Sequence, residues 1–378
     1  MKFHWSLSVL LAVTATQASA QQSSDKQLLV PQIPAIKLAF VDAKETQIGG
    51  PGAGSGLQCS PDGEVFFDPW QPSSSQEMGV LAFIRSHDTY DVTKFGLDQI
   101  SDVHDGHLRD YYATDSLVAM LLLNGTRDDA MSTTKRVITV PSKGEKYEQT
   151  VKSGRRGDFI ATFDRQGNYK EAVELDIPFK ARKIAVFSSG LFLVVGSDSE
   201  QKPKFAFVNA DGTLQRLLDT EKPMHGWEER LAATGVTHGS ASPEFLARVP
   251  PQFGMAQILS FHDKLLFVWP GLTWIIEVSP SGLIRRVPIH VPEGRVIDRF
   301  ISSDKMWFAS FKEHGADYKT DPQTMVYEIN PLDGTLIKRF DAAPEYVYAI
   351  GCEHDGEFLA MGFRRGGFLM LLRGTPQN

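Results

Sequence analysis

The sequence predicts an all-β fold, a six-bladed β-propeller of four-stranded antiparallel blades. Two observations predict it. A hairpin with a tight turn recurs six times, and the chain begins with a spare strand while its last unit is one strand short. A third observation, the crowding of every long connection at one end of those units, predicts where function sits.

Taken in order, residues 1–20 read as a secretory signal peptide. Lys2 supplies the positive start, an apolar run extends from Trp5 to about Ala15, and Ala18-Ser19-Ala20 is a small-x-small cleavage site. That run is shorter than the roughly 20 residues needed to cross a bilayer. Nothing later is apolar enough to do so. The mature chain is therefore expected to begin at Gln21, carry an N-terminal extension over 21–34, and be secreted or periplasmic with no transmembrane segment.

Ile36–Val41 then reads as a strand without a unit. Six hairpins follow, over 57–67, 110–120, 184–194, 258–268, 299–309 and 350–360. Their turn pairs are Asp62-Gly63, Asp115-Ser116, Ser189-Gly190, Asp263-Lys264, Asp304-Lys305 and Asp355-Gly356, residue types suited to the positive φ that two-residue turns often need. Most units add a second hairpin, with turns at Ser86–Asp88, Asp164–Gly167, Asn209–Gly212, Ser279–Gly282 and Asn330–Gly334. The last unit offers only three strands, ending at Phe368–Leu372. Strand 36–41 completes it as the outermost strand and closes the ring, which removes an exposed sheet edge. The propeller is expected to occupy 35–378, with insertions at 124–156 and 219–253.

The chain has 378 residues, 39 Lys and Arg against 46 Asp and Glu, and a formal charge of −7, which argues against nucleic acid as a partner. An apolar fraction of 42% suffices for a packed core. The two cysteines lie at equivalent places, Cys59-x-x-Asp-Gly-Glu64 and Cys352-x-x-Asp-Gly-Glu357. Equivalent side chains on a symmetric ring point in the same rotational sense, which favours two buried free thiols over a bridge.

Function is expected on the face bearing the long connections: 49–56, 69–78, 101–109, 124–156, 219–253 and 312–323. Within 219–253, Trp227–Ala233 and the Ser242-Pro243 start suggest short helices over the ring. Segment 124–156 carries a local basic bias and reads as a hairpin extension, and Asn124-Gly125-Thr126 fits a glycosylation acceptor. Candidate ligand-binding residues at the axis are Asp110, Tyr111, Asp298, Arg299, Glu345 and Tyr346, with Trp227 from the insertion. Ion pairing of Asp110 or Asp298 with Arg299 is one role for the charges. Carboxylates converging there also suit Ca²⁺ or another divalent metal. The densest polar cluster, Asp102 to Asp110, offers His104, Asp105, His107 and Asp110 as a metal set or as acid–base groups, against the alternative of a polar inter-blade loop. No nucleophile elbow, phosphate loop or zinc-protease motif is present.

The four-stranded units, their Asp-Gly and Asn-x-Asp-Gly turns and the shared first and last blade resemble the six-bladed propellers of the NHL-repeat and TolB-like superfamily. The resemblance implies an extracellular binding scaffold, or a metal-dependent lactonase or a lyase. The Glu, Asn and Asp set by which such lactonases hold a channel cation has no residue-by-residue counterpart in this chain. Two functions follow as expectations: a non-catalytic binding propeller for a protein, peptide or glycan, and a metal-dependent hydrolase or lyase at the channel mouth.

Overall fold

The structure is a computed structural model. It describes residues 33–47, 55–60, 62–68, 79–140, 145–200, 202–220, 256–268, 273–313, 324–342, 349–364 and 368–377, with the backbone alone at 55–56, 128–153, 324 and 363–364. The predicted helices around Trp227 and Ser242, and Glu345 and Tyr346, lie outside the described residues.

The described chain is all-β apart from one 3-10 turn at Leu97–Gln99. Strand β1 (Ala35–Gln47) comes first. Strands β2 (Ser55–Cys59), β3 (Val65–Asp68), β4 (Val80–Ser86) and β5 (Thr89–Phe95) form a sheet in sequence order. The second sheet contains β6 (Val103–His104), β7 (His107–Ala113), β8 (Leu117–Val140), β9 (Glu145–Asp164) and β10 (Tyr169–Glu174). Strands β11 (Lys180–Val186), β12 (Phe192–Ser197), β13 (Pro203–Val208) and β14 (Leu214–Leu218) make the third. Strands β15 (Gln257–Phe261), β16 (Lys264–Val268), β17 (Trp274–Val278) and β18 (Ile284–Pro288) make the fourth. The remainder are β19 (Arg295–Ile301), β20 (Trp307–Glu313), β21 (Thr324–Ile329), β22 (Leu336–Ala342), β23 (Ala349–His354), β24 (Glu357–Arg364) and β25 (Phe368–Gln377). With β1 they form one eight-stranded sheet, ordered β19-β20-β21-β22-β1-β25-β24-β23.

The N-terminal strand lies where the sequence places it. β1 pairs antiparallel with β25 from Lys37–Gln377 to Gln47–Phe368, and its first residues, Ala35–Leu38, also pair parallel with β22. Both termini of the described chain are thus held in one sheet, and β25 has no free edge. The predicted turn at Asp263-Lys264 falls one residue earlier, on His262-Asp263. Lys264 continues the ladder opposite Phe261, and His262 takes the positive φ of 54°.

These sheets stand face to face in a propeller arrangement, and neighbours share apolar clusters. Phe66 and Phe95 of the first sheet pack with Tyr111, Phe159 and Phe163 of the second. Leu57, Phe83 and Tyr90 of the first pack with Leu359, Leu369 and Leu371 of the last strands, so packing runs from end to beginning. The first strands cluster together: β7 touches β2 and β11, and β23 touches β2 and β19. Middle strands such as β12 and β17 are buried along their whole length, because sheets covered on both faces must bury both.

The recurring second turn is an inter-sheet wedge. Gly212 and Gly334 have φ of 86° and 75°, and a Cβ on either would overlap the preceding sheet's carbonyl at Glu174 or Pro288. Only glycine meets both the positive φ and this close approach. Asp176 N–H donates to the Gly212 carbonyl (3.0 Å), and His290 N–H to that of Gly334 (3.0 Å), which turns the close approach into a tie.

The expectation of free thiols is wrong: Cys59 and Cys352 form a disulfide, with Cα atoms 5.7 Å apart. The symmetry argument fails because the two strands are irregular at different places. In β23 the register shifts between Ile350 and Cys352, which puts Ile350 in the core facing the preceding sheet and Cys352 in the core facing the first. In β2 the shift comes earlier, between Ser55 and Gln58, so Leu57 and Cys59 both face β23. A bulge changes which face later residues occupy.

Candidate functional site at the inner strands

The described connections between first and second strands, and between third and fourth strands, are all tight and lie at one end of the sheets. The long segments join second to third strands or one sheet to the next, and so leave from the opposite end. Strands β8 and β9 extend there as a paired ribbon, continuing to Val140 opposite Glu145.

At that end Asp68 closes β3 opposite Ser55, the first residue of β2. Asp110 lies in β7 beside a register shift between Leu108 and Asp110. Its carboxylate is buried, with a side-chain exposure of 6%, and accepts from Lys183 Nζ (2.8 Å) and from the Ile184 N–H (2.9 Å) on β11. Lys183 is itself only 13% exposed and follows the shift in β11 between Ala181 and Lys183. Burial raises the Asp110 carboxyl above the usual range against the pull of Lys183. Asp68 is pushed up to about 6, by burial first and then by the Asp110 charge, with Lys183 opposing. Tyr111 donates its hydroxyl to the Phe66 carbonyl (3.0 Å), and burial with the Asp68 and Asp110 charges raises its pKa.

Three inner strands reach the next sheet through one side chain. Asp110 does so through Ile184. Gln58 of β2 donates to the Tyr111 carbonyl (2.6 Å) and accepts from the Ala113 N–H (3.4 Å). Gln257 of β15 accepts from the Phe300 N–H (2.9 Å) and donates to its carbonyl (3.4 Å). The Arg299 charge is felt at Tyr111.

The structure divides the candidate residues. Asp110, Tyr111 and Arg299 share one electrostatic neighbourhood, whereas Asp298 pairs at the surface with Lys312 (2.9 Å). Asp110 and Asp298 pair with Lys183 and Lys312, where pairing with Arg299 is one of the roles the sequence leaves open to them. His104, Asp105 and His107 are exposed while Asp110 is buried against Lys183, and among the described residues no group of three or more His, Cys, Asp or Glu is placed to hold a metal ion. Asp105 has a φ of 58°, so the segment turns between β6 and β7 as an inter-blade loop does. Trp227 is outside the described residues.

Sequence reasoning missed Asp68, Lys183, Gln58 and Gln257. Lys183 gave little signal, since it stands in the basic stretch Lys180-Ala181-Arg182-Lys183 just before the apolar Ile184–Val186. It also missed the clasp at the other end, where Arg165 binds the fully buried Glu64 and the exposed Asp62 (3.0 Å), joining the second sheet to the first.

No protein-family model and no curated protein matches the chain. Among solved structures it is similar to virginiamycin B lyase from Staphylococcus aureus, at 13% identity and a TM-score of 0.39 over 89% of this chain and 99% of that one. It is similar also to the Pan2 WD40 domain of Neurospora crassa (10%, TM-score 0.41, 90% and 96%) and to a luciferin-regenerating enzyme (9%, TM-score 0.43, 89% and 96%). Likeness at this level assigns no chemistry. The propeller arrangement rests on the sheets themselves.

Proposed function

We propose that this chain is an exported six-bladed propeller that binds a protein, peptide or glycan at the end carrying its long connections, without catalysing a reaction. The contrast between the two ends of the sheets carries the reading: tight turns close one, long segments and the β8–β9 ribbon leave the other. The count of six divides the eight-stranded sheet at the parallel β22–β1 pair into two blades, beside the three four-stranded sheets and the second sheet. Export is supported by the disulfide, since such bonds persist in oxidising compartments. Cleavage after Ala20 belongs to the same proposal.

Probing peptide and glycan arrays with the mature chain, with and without EDTA, tests it. The expected result is a signal that survives chelation and disappears when 221–255 is replaced by a short linker at unchanged Tm. The proposal fails if a folded deletion variant binds as well as the parent.

A second reading, a hydrolase or lyase at the same place, draws on Asp68. A carboxyl near pKa 6 beside a second carboxylate has the properties of a general acid. Stoichiometric Ca²⁺ or Zn²⁺ in the purified protein, lost in Asp110→Asn, would favour its metal-dependent form.

A further inference from the structure

Sheets that share an apolar cluster are elsewhere consecutive in the chain, so the backbone joins them. The exception is the seam between the first sheet and the last strands, β23–β25, which pack together although 293 residues separate Cys59 from Cys352. Leu57, Phe83 and Tyr90 meet Leu359, Leu369 and Leu371 there, and Leu57 lies so close to Gly351 that a Cβ on the glycine would overlap it. On their other side the last strands are fixed by backbone at both edges. At the inner edge the Ser302 N–H donates to the Gly351 carbonyl (2.9 Å) and the Glu353 N–H to that of Ser302 (2.8 Å). At the outer edge β1 lies between β22 and β25. That leaves the seam with the first sheet as the place where the ring would open.

Two links cross this seam. One is the disulfide, which joins the inner strands β2 and β23. The other is β1, which is paired with β25 from Lys37–Gln377 to Gln47–Phe368 and is followed in the chain by β2 of the first sheet. β1 also touches β5, and Ala43 packs against the apolar cluster of the seam. The links sit at opposite edges of the same contact, and neither uses a residue of the other.

We infer that the disulfide and β1 are duplicate latches on one seam, each sufficient to keep the ring shut when the other is lost. One link suffices because it makes the contact intramolecular: the two apolar faces stay at high effective concentration and close again after each opening. A reduced chain keeps its ring through β1, and a chain cut between β1 and β2 keeps it through the disulfide. Loss of both leaves the apolar contact alone, and the seam opens. The inference is separate from the ligand reading above, since it needs no ligand and survives if none is found.

Cys59 and Cys352 are buried in the seam, so their thiols report its opening once the bond is reduced. The test uses the full mature chain with a site-specific protease sequence inserted between Gly50 and Pro51, cut or uncut, reduced or oxidised. In the uncut reduced chain both thiols are expected to react with a maleimide far more slowly than in urea-unfolded chain. Cutting the reduced chain is expected to speed them by about tenfold or more, and cutting the oxidised chain to leave its urea midpoint unchanged. A smaller acceleration overturns the proposal, because β1 then adds nothing to the apolar contact. Thiols that react in the uncut reduced chain as fast as in urea overturn it as well. So does an oxidised chain that unfolds at lower urea once cut.

Discussion

Between the fourth and fifth sheets, Gln257 reaches across to Phe300 and makes two hydrogen bonds with an uncharged amide. Between the second and third, Asp110 reaches across to Ile184 in the same manner, but with a charge that Lys183 must balance in a buried setting. Gln58 joins the first sheet to the second and again uses an amide. The tie itself therefore needs only an acceptor. Burying two charges is expensive, several kcal/mol per ion before their attraction is counted, and an uncharged substitute is often as stable. What the difference teaches is that the charge at Asp110 and Lys183 exceeds what holding two sheets together requires. Groups of that kind, with Asp68 beside them, concentrate at functional sites.

The largest expected effect breaks the charged tie on one side. Lys183→Met leaves the Asp110 carboxylate buried without its partner and is expected to destabilise the protein by about 3–5 kcal/mol at pH 8, measured by urea unfolding. The loss should shrink as pH falls and Asp110, its carboxyl already raised by burial, takes up a proton. A loss under about 1 kcal/mol at pH 8 would mean that water already reaches the carboxylate.

A smaller effect reads Asp68. Its folded pKa of about 6 lies above that of an ordinary aspartate, so the folded chain holds a proton the unfolded chain has released. The contribution is full below about pH 4 and is lost as pH rises through 6. Asp68→Asn removes that loss. It is expected to stabilise the chain by about 2–3 kcal/mol at pH 8 and to leave stability at pH 4 unchanged. A parallel pH profile in parent and variant would remove Asp68 from the buried cluster.

The neutral side of the comparison gives the smallest effect. Gln257→Ala frees the Phe300 N–H and carbonyl and is expected to cost about 1–2 kcal/mol at every pH from 5 to 8, by the same urea measurement. A pH-dependent loss there would show that the two ties do not differ in the way described.

Much of the fold was legible because it is written in repeated residues. The turn at Asn209–Gly212 announces itself by composition, and the strand at Ile36–Val41 by having no partner nearby. What a repeat does not carry is its own irregularity. The register shifts at Ile350/Cys352 and Ser55/Gln58 change which face each cysteine occupies, and nothing in the strand pattern marks them, so the disulfide was missed. The candidate site was legible at Asp110 and Tyr111, polar groups on an inner strand. It was not legible at Lys183 and Asp68, whose relation to Asp110 exists only once three sheets are side by side. The metal set at His104, Asp105 and His107 was suggested by closeness in sequence, which a turn at Asp105 and exposure of all three do not convert into convergence.

The most direct test is the unfolding free energy of the double variant Asp110→Asn, Lys183→Met at pH 7. With an amide in place of the carboxylate and no charge left to balance, its stability is expected within about 1 kcal/mol of the parent, well above Lys183→Met alone. A double variant no more stable than the single one would contradict the account, because the ion pair would then belong to the scaffold.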